Sequence, residues 1–158
     1  FNTFIQLPAG MHATVCPVSG NYFTLKQKAG SKQLAPNLSE RVFIDMSNVG
    51  GAGSVISTLQ DLIRWGHYLF KVAPASLREV MLESYGAASD GEFLNLGLRT
   101  LMTQRWGPFI GHDGDIDSFS AFFGYAPQQD TLIIILTNHS ADANALKGAL
   151  LDWLSAER

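Results

Sequence analysis

The sequence predicts an α+β fold, an antiparallel sheet flanked by helices, and three stretches carry that prediction. Phe119, Ala121, Phe123 and Tyr125 alternate with Ser118, Ser120 and Gly124, the period-two pattern of a strand. A Pro127-Gln128-Gln129-Asp130 turn and the apolar run Thr131 to Thr137 follow, completing an antiparallel hairpin. Helical signals flank it: Leu59, Leu62, Ile63, Gly66, Leu69 and Phe70 recur at helical spacing, as do Leu146, Ala149, Leu150, Trp153 and Leu154.

In chain order, residues 1–56 form a loop-rich opening segment, residues 57–86 carry helices, and residues 93–158 carry the sheet hairpin and the terminal helix, all within one unit of residues 1–158. Pro8, Gly10, Pro17, Gly20, Gly30 and Pro36 punctuate the first segment and break any helical period. Ser57-Thr58-Leu59-Gln60 reads as a capping box opening a helix over 58–71, with Ser57 as the cap. Ser76-Leu77-Arg78-Glu79 repeats the device for a shorter helix that Gly86 stops. The run Leu132 to Leu136 is apolar on both faces, which marks a strand covered on both sides and central in its sheet. Ser140 or Asp142 opens the last helix.

Composition excludes several function classes. With 158 residues, 46% of them hydrophobic, the chain is long enough for one domain with a core. Its 14 acidic and 11 basic residues are spread without blocks, so it offers no electrostatic footprint for nucleic acid or an anionic membrane. No apolar run approaches the length of a membrane span. Cys16 has no second cysteine to pair with and reads as a buried small apolar residue. The start at Phe1, without methionine or a leader pattern, reads as that of a processed or excised piece.

Glycines flank a His-Asp pair in Ile110-Gly111-His112-Asp113-Gly114-Asp115, letting the backbone run close to a ligand and setting an imidazole and carboxylates at one strand end. In isolation such a tripeptide is a histidine at a strand end. Asp113, Asp115 and Asp117 also space like the start of a calcium loop, but Ser118 and Gly124 stand where that loop needs glycine and glutamate. Gly50-Gly51-Ala52-Gly53 precedes a helix, yet Ile56 occupies the third glycine position of a dinucleotide motif. His12, His67, His112 and His139 form no short-spaced ligand pair, so no metal is expected, and His67 and His139 read as structural or solvated. No Gly-x-Ser-x-Gly occurs, no serine has lysine three residues on, and Ser19-Gly20-Asn21 reads as a turn.

Taken together, these segments resemble the C-terminal part of the serine β-lactamase and penicillin-binding-protein superfamily, in its branch of class C β-lactamases, D-alanyl-D-alanine carboxypeptidases and esterases. Leu7-Pro8-Ala9-Gly10-Met11-His12-Ala13-Thr14 is similar to its Pro-Leu-Gly-Met-x-x-Thr segment, and Gly50 to Leu62 to its Gly-Gly-Leu-x-Ser-Thr-x-x-Asp-Leu helix start. Leu96-Gly97-Leu98 falls at its Gly-Leu-Gly-Trp strand, Gly111-His112-Asp113-Gly114 at its Lys-Thr-Gly or His-x-Gly motif, and Leu136-Thr137-Asn138 at the end of its last strand. The resemblance spans nearly the whole chain, and the shared order of the segments turns the reading of His112 from strand end to active site.

The resemblance implies an acyl-enzyme hydrolase acting on an ester, amide, peptide or β-lactam, without a cofactor. It implies that His112, Asp113 and Gly114 bind substrate and that the backbone amide of Asp115 forms half of an oxyanion hole. The nucleophile of Ser-x-x-Lys and the Tyr-x-Asn motif do not occur in the sequence, so the chain is expected to be inactive alone and to need an N-terminal portion carrying them. That portion would also supply the first helix and first strands, leaving this chain the last three strands, the terminal helix and part of the helical region. Residues 131–137 would then present an open edge, through which the isolated chain would form a homodimer or swapped dimer. A periplasmic or secreted location is implied in the same way. Negative charge at Asp113, Asp115 and Asp117 leads us to expect a neutral substrate over a penicillin. The alternative is a non-catalytic module of the same fold that binds a ligand or a protein.

Overall fold

The structure, a computed structural model, describes residues 1–16, 30–35, 38–42, 51, 53–89, 91–116 and 119–156. A π-helical turn at Asn2–Gln6 leads into the single turn α1 (Leu7–Ala9), closed by Gly10 at φ 67°. Strands β1 (Gly30–Ala35) and β2 (Leu38–Val42) pair as a hairpin. The helices α2 (Leu59–His67) and α3 (Ala75–Leu82) are joined by a second π-helical turn, Tyr68–Val72. Six antiparallel strands then follow one another in space as in sequence: β3 (Gly86–Ser89), β4 (Glu92–Leu94), β5 (Arg99–Thr103), β6 (Gly107–Ile116), β7 (Phe119–Ala126) and β8 (Thr131–Thr137). Helix α4 (Ser140–Ser155) ends the fold.

The α+β class is as predicted, and the β7–β8 hairpin and its turn fall where the alternation places them. The sheet is larger than the three strands expected, because β3, β4 and β5 are short and carry little alternation. Leu96 and Gly97 lie not in a strand but in the turn between β4 and β5, with Gly97 at φ 71°. Helix α2 starts one residue later than the capping box implies: Thr58 is the cap and accepts from the Asp61 N–H, while Ser57 turns to Thr14. Ser76 is no cap either, because it lies inside α3 behind Pro74, whose fixed φ suits a helix start, and the helix ends at Leu82, well before Gly86. Cys16 is half-buried, with its thiol 3.6 Å from the Ser54 hydroxyl.

Two layers of helix cover the hairpin. On one face Phe109, Ala126 and Leu154 form a buried cluster against which Trp106, Phe122, Ile133 and Leu150 pack, so β6, β7 and β8 meet α4. Trp153 extends that contact by meeting Trp106 in a tilted pair, 4.8 Å between ring centres at an interplanar angle of 58°, with Arg105 4.7 Å from its ring. On the other face Phe70 stacks on Tyr125 and Phe123, at 4.4 and 6.1 Å between ring centres. Gly66 lets α2 approach β8 there: a Cβ at that position would stand 2.6 Å from Leu132 Cδ2.

At the hairpin turn Asp130, at φ 50°, accepts from the Tyr125 hydroxyl and pairs with Lys71, locking the second π-helical turn to the sheet. Hydrogen bonding to Asp130 raises the pKa of Lys71, and Lys71 in turn lowers that of Asp130, so each partner stabilises the other's charge.

Strand β8 therefore has a helix against each face, as its composition requires, with its residues half-buried and Leu136 exposed. Its position differs from the central one expected. It ends the sheet, and among the described residues no strand pairs with its outer edge. Composition reports what lies above and below a strand, whereas its neighbours in the sheet are set by topology. No helix among the described residues is long and apolar enough to cross a membrane.

Candidate active site

Strand β6 is longer than its partner on one side. β5 pairs with it from Thr103↔Gly107 to Arg99↔Gly111, while β7 pairs from Ile110↔Tyr125 to Ile116↔Phe119. The tight β4–β5 turn stops β5 at Arg99: the Asn95 N–H donates to the Leu98 carbonyl, and Asn95 Oδ1 accepts from the Thr100 hydroxyl. Residues 112–116 are thus held by β7 alone, and among the described residues no strand covers their other edge. A strand held on one side presents alternate backbone N–H and C=O groups to whatever lies beside it.

The two glycines of Gly111-His112-Asp113-Gly114 play different parts. Gly111 faces Gly124 across β6 and β7, and a Cβ on Gly111 would run into the Phe123 carbonyl and stand 2.7 Å from Gly124 Cα. The Phe109 ring lies over Gly124 and fills the place a side chain there would need. Among the described residues, Gly114 has nothing within 4 Å of a Cβ and is open.

Pairing runs from 110 to 116 without a bulge, so side chains alternate strictly. His112, Gly114 and Ile116 share the face of Phe123 and α2, whereas Asp113 and Asp115 share the face of Phe122 and α4. The Asp113 and Asp115 side chains therefore stand on the opposite face of the strand from the His112 ring. Asp115 Oδ1 accepts from the Ser120 hydroxyl at 2.5 Å, and Ser120, almost wholly buried, stands in register with Thr137 on β8. Leu136-Thr137-Asn138 therefore meets the strand carrying Asp115 through a residue that the sequence reading assigned no role. Asp117 and Ser118 lie outside the described residues, as do Ser19-Gly20-Asn21, Gly50 and Ala52.

His112 is exposed, and its Nδ1 lies 2.5 Å from the Asp113 carbonyl oxygen. Among the described residues no three His, Cys, Asp or Glu side chains come together as metal ligands.

Two of the other sequence segments meet beside the end of this strand. Val15 and Ile56 form an isolated antiparallel bridge, and a Cβ on Gly53 would stand 3.6 Å from Ile116 Cδ1, bringing residues 53–57 to the end of β6. Asp61 is the tie beneath them. Fully buried, it accepts from the Ala13 N–H at 2.7 Å, the Thr14 hydroxyl at 2.8 Å and Arg64 Nη1 at 2.7 Å. Because the carboxylate only accepts, Thr14 spends its proton on it and accepts in turn from Ser57 at 2.8 Å. Burial pushes the Asp61 carboxyl up, but the bonds from Thr14, Ala13 and Arg64 outweigh it and hold the pKa below the ordinary carboxylate value. No local pattern announces this cluster, since its partners lie 47 residues apart.

A groove of about 340 Å3 runs between α1 and α2, lined by Pro8, Ile63, Arg64, His67, Tyr68 and Val72 among others. It contains no residue of β6, and size alone does not make it the reactive site.

A family model described as Beta-lactamase matches residues 6–157. No curated protein matches the sequence. Among solved structures, a D-stereospecific amidohydrolase from Streptomyces sp. superposes with a TM-score of 0.71 at 20% identity, covering 87% of this chain and 42% of that one. A penicillin-binding protein from Bacillus halodurans gives 0.71 at 17% identity, over 92% of this chain and 47% of the other. An octameric penicillin-binding protein homologue from Pyrococcus abyssi gives 0.70 at 21%, over 93% and 36%. At these identities the likeness is one of fold, and this chain spans less than half the length of each.

Proposed function

The chain belongs to the Beta-lactamase family, and from that premise we propose that it is the C-terminal part of a serine acyl hydrolase whose nucleophile lies in polypeptide outside this sequence. The observation that carries the reading is the one-sided pairing of residues 112–116, which leaves a backbone edge, an exposed imidazole and the open Gly114 side by side. Neither Ser-x-x-Lys nor Tyr-x-Asn occurs in the 158 residues, and the similar structures are more than twice as long as the stretch matched.

In the proposed reaction a serine hydroxyl from the other portion adds to the carbonyl of an ester, amide, peptide or β-lactam. The bond to the leaving group breaks, the leaving group takes up the proton, and water then cleaves the acyl-serine ester and restores the hydroxyl. His112 would hold the substrate beside the strand, with Asp113 and Gly114 forming the backbone it lies along. The Asp115 amide would donate to the carbonyl oxygen as its charge develops, alongside the amide of the serine itself.

A fluorophosphonate probe for acyl-forming serines tests this. Label is expected to appear when the chain is joined to its upstream polypeptide and not on the chain alone. Labelling of the isolated chain would overturn the assignment, and an unlabelled complete protein that still binds ligand would favour a non-catalytic module of the same fold.

The outer edge of β8 supports the same reading, since an edge strand of Leu132, Ile133, Ile134, Ile135 and Leu136 with no strand beside it among the described residues favours association. We expect the upstream portion to cover this edge. In sedimentation the isolated chain is expected to run as a dimer or larger species and the complete protein not to associate through β8; an isolated monomer at tens of micromolar or so would contradict it.

A further inference from the structure

We propose that His112 is the residue that selects uncharged substrates, because its ring is held in the tautomer that offers a hydrogen-bond acceptor, not a donor, to the open edge. The Asp113 carbonyl oxygen can only accept, so the ring nitrogen 2.5 Å from it, Nδ1, carries the proton. A neutral imidazole has one N–H, and Nε2 is then left with its lone pair. The ring stands exposed on the face away from the Asp113 and Asp115 carboxylates, and its cross-strand neighbour is Phe123.

Two residues along on the same face, Gly114 leaves open space among the described residues, so a ligand group can lie against the strand within reach of the ring. A lone pair at that place pairs with a hydroxyl or amide N–H. It sets an acceptor against the oxygens of a carboxylate, which finds no partner. Discrimination of this kind arises from the mismatched group as much as from the matched one. The carboxylates of Asp113 and Asp115 play no part in it, and selection against an anion rests on the proton bound by the Asp113 carbonyl. The proposal rests on the acyl-hydrolase reading for its substrates and not for its tautomer.

The test uses the complete protein with 15N-labelled histidine. Long-range 1H–15N correlation spectra of the neutral ring, assigned by loss of the signal in His112→Gln, are expected to show Nδ1 protonated and Nε2 bare. In parallel, p-nitrophenyl butyrate should be preferred over the mono-p-nitrophenyl ester of succinic acid, and His112→Lys should move the ratio of kcat/KM about tenfold toward the succinate ester. An Nε2–H tautomer, or a ratio that His112→Lys leaves unmoved, overturns the proposal. If the complete protein hydrolyses neither ester, the hydrolase reading fails, and titration of butyramide and butyrate against the His112 ring signals decides this one. A response to butyramide alone supports it, and any other pattern overturns it.

Discussion

Gly111→Ala is expected to destabilise the protein by about 3 kcal/mol, while Gly114→Ala, three residues along the same strand, changes stability by no more than about 0.5 kcal/mol. Both are single methyl additions to β6, and neither position has the positive φ that would make alanine strained. The difference lies in what the methyl meets. At Gly111 it meets main chain: the Phe123 carbonyl and, at 2.7 Å, Gly124 Cα. Main chain in a paired ladder cannot rotate aside as a side chain can, so β6 and β7 must separate locally. Separation loosens the Gly111↔Gly124 pair and the Phe109 ring that lies over Gly124, and Phe109 is part of the cluster with Ala126 and Leu154. At Gly114 the methyl meets nothing within 4 Å among the described residues. Urea unfolding of both variants checks this, and similar losses at the two sites would refute the close approach of β6 and β7. On the proposed hydrolase reading the order reverses in kind: in the complete protein Gly114→Ala keeps the fold but narrows the space beside His112, so KM is expected to rise.

Those two glycines mark the limit of what the sequence could convey. The motif treats them alike, as a pair flanking His112 and Asp113, and only the register of β6 on β7 separates a packing glycine from an open one. Where a signal was local it was readable. The alternation of β7, the turn at 127–130 and the apolar β8 specified the hairpin, and the stripe of Leu150 and Leu154 specified the face of α4 that packs. Where a feature depended on a distant partner it was not. Ser57 and Thr58 are equally good caps by type, and Thr14, 43 residues from Ser57, decides between them by drawing the Ser57 hydroxyl away. The β1–β2 hairpin was hidden for a different reason, since Gly30–Ala35 and Leu38–Val42 carry few apolar residues and lie among prolines and glycines that read as loop. The likeness to known motifs supplied order along the chain. It did not supply the alternation of faces, which sets the Asp113 and Asp115 side chains on the opposite side of the strand from His112.

Asp61→Asn is expected to lower the melting temperature at neutral pH on the order of 10 °C. The carboxylate is fully buried, with Oδ2 taking the Ala13 N–H and the Thr14 hydroxyl and Oδ1 taking Arg64. An amide offers one oxygen. In one orientation its NH2 group faces two donors from residues 13 and 14, and in the other it faces the guanidinium, so at least one donor loses its partner either way. Those bonds also fasten the segment before Cys16, which carries the Gln6 side chain bond to the Thr14 carbonyl, onto α2. The effect depends on pH in a stated direction. Burial opposes the charge on Asp61, and the bonds from Thr14, Ala13 and Arg64 overcome it, leaving the folded pKa below its ordinary value of 3.8. A lowered folded pKa means that the stabilisation is fully present above the unfolded value, about 3.9, and is lost as pH falls through the lower folded one. The asparagine variant has no such charge to lose. Melting curves of the two proteins should therefore run parallel above about pH 5 and converge below about pH 4; a gap that stays constant into acid would mean that shape, and not the ionised carboxylate, is what holds Thr14 to α2.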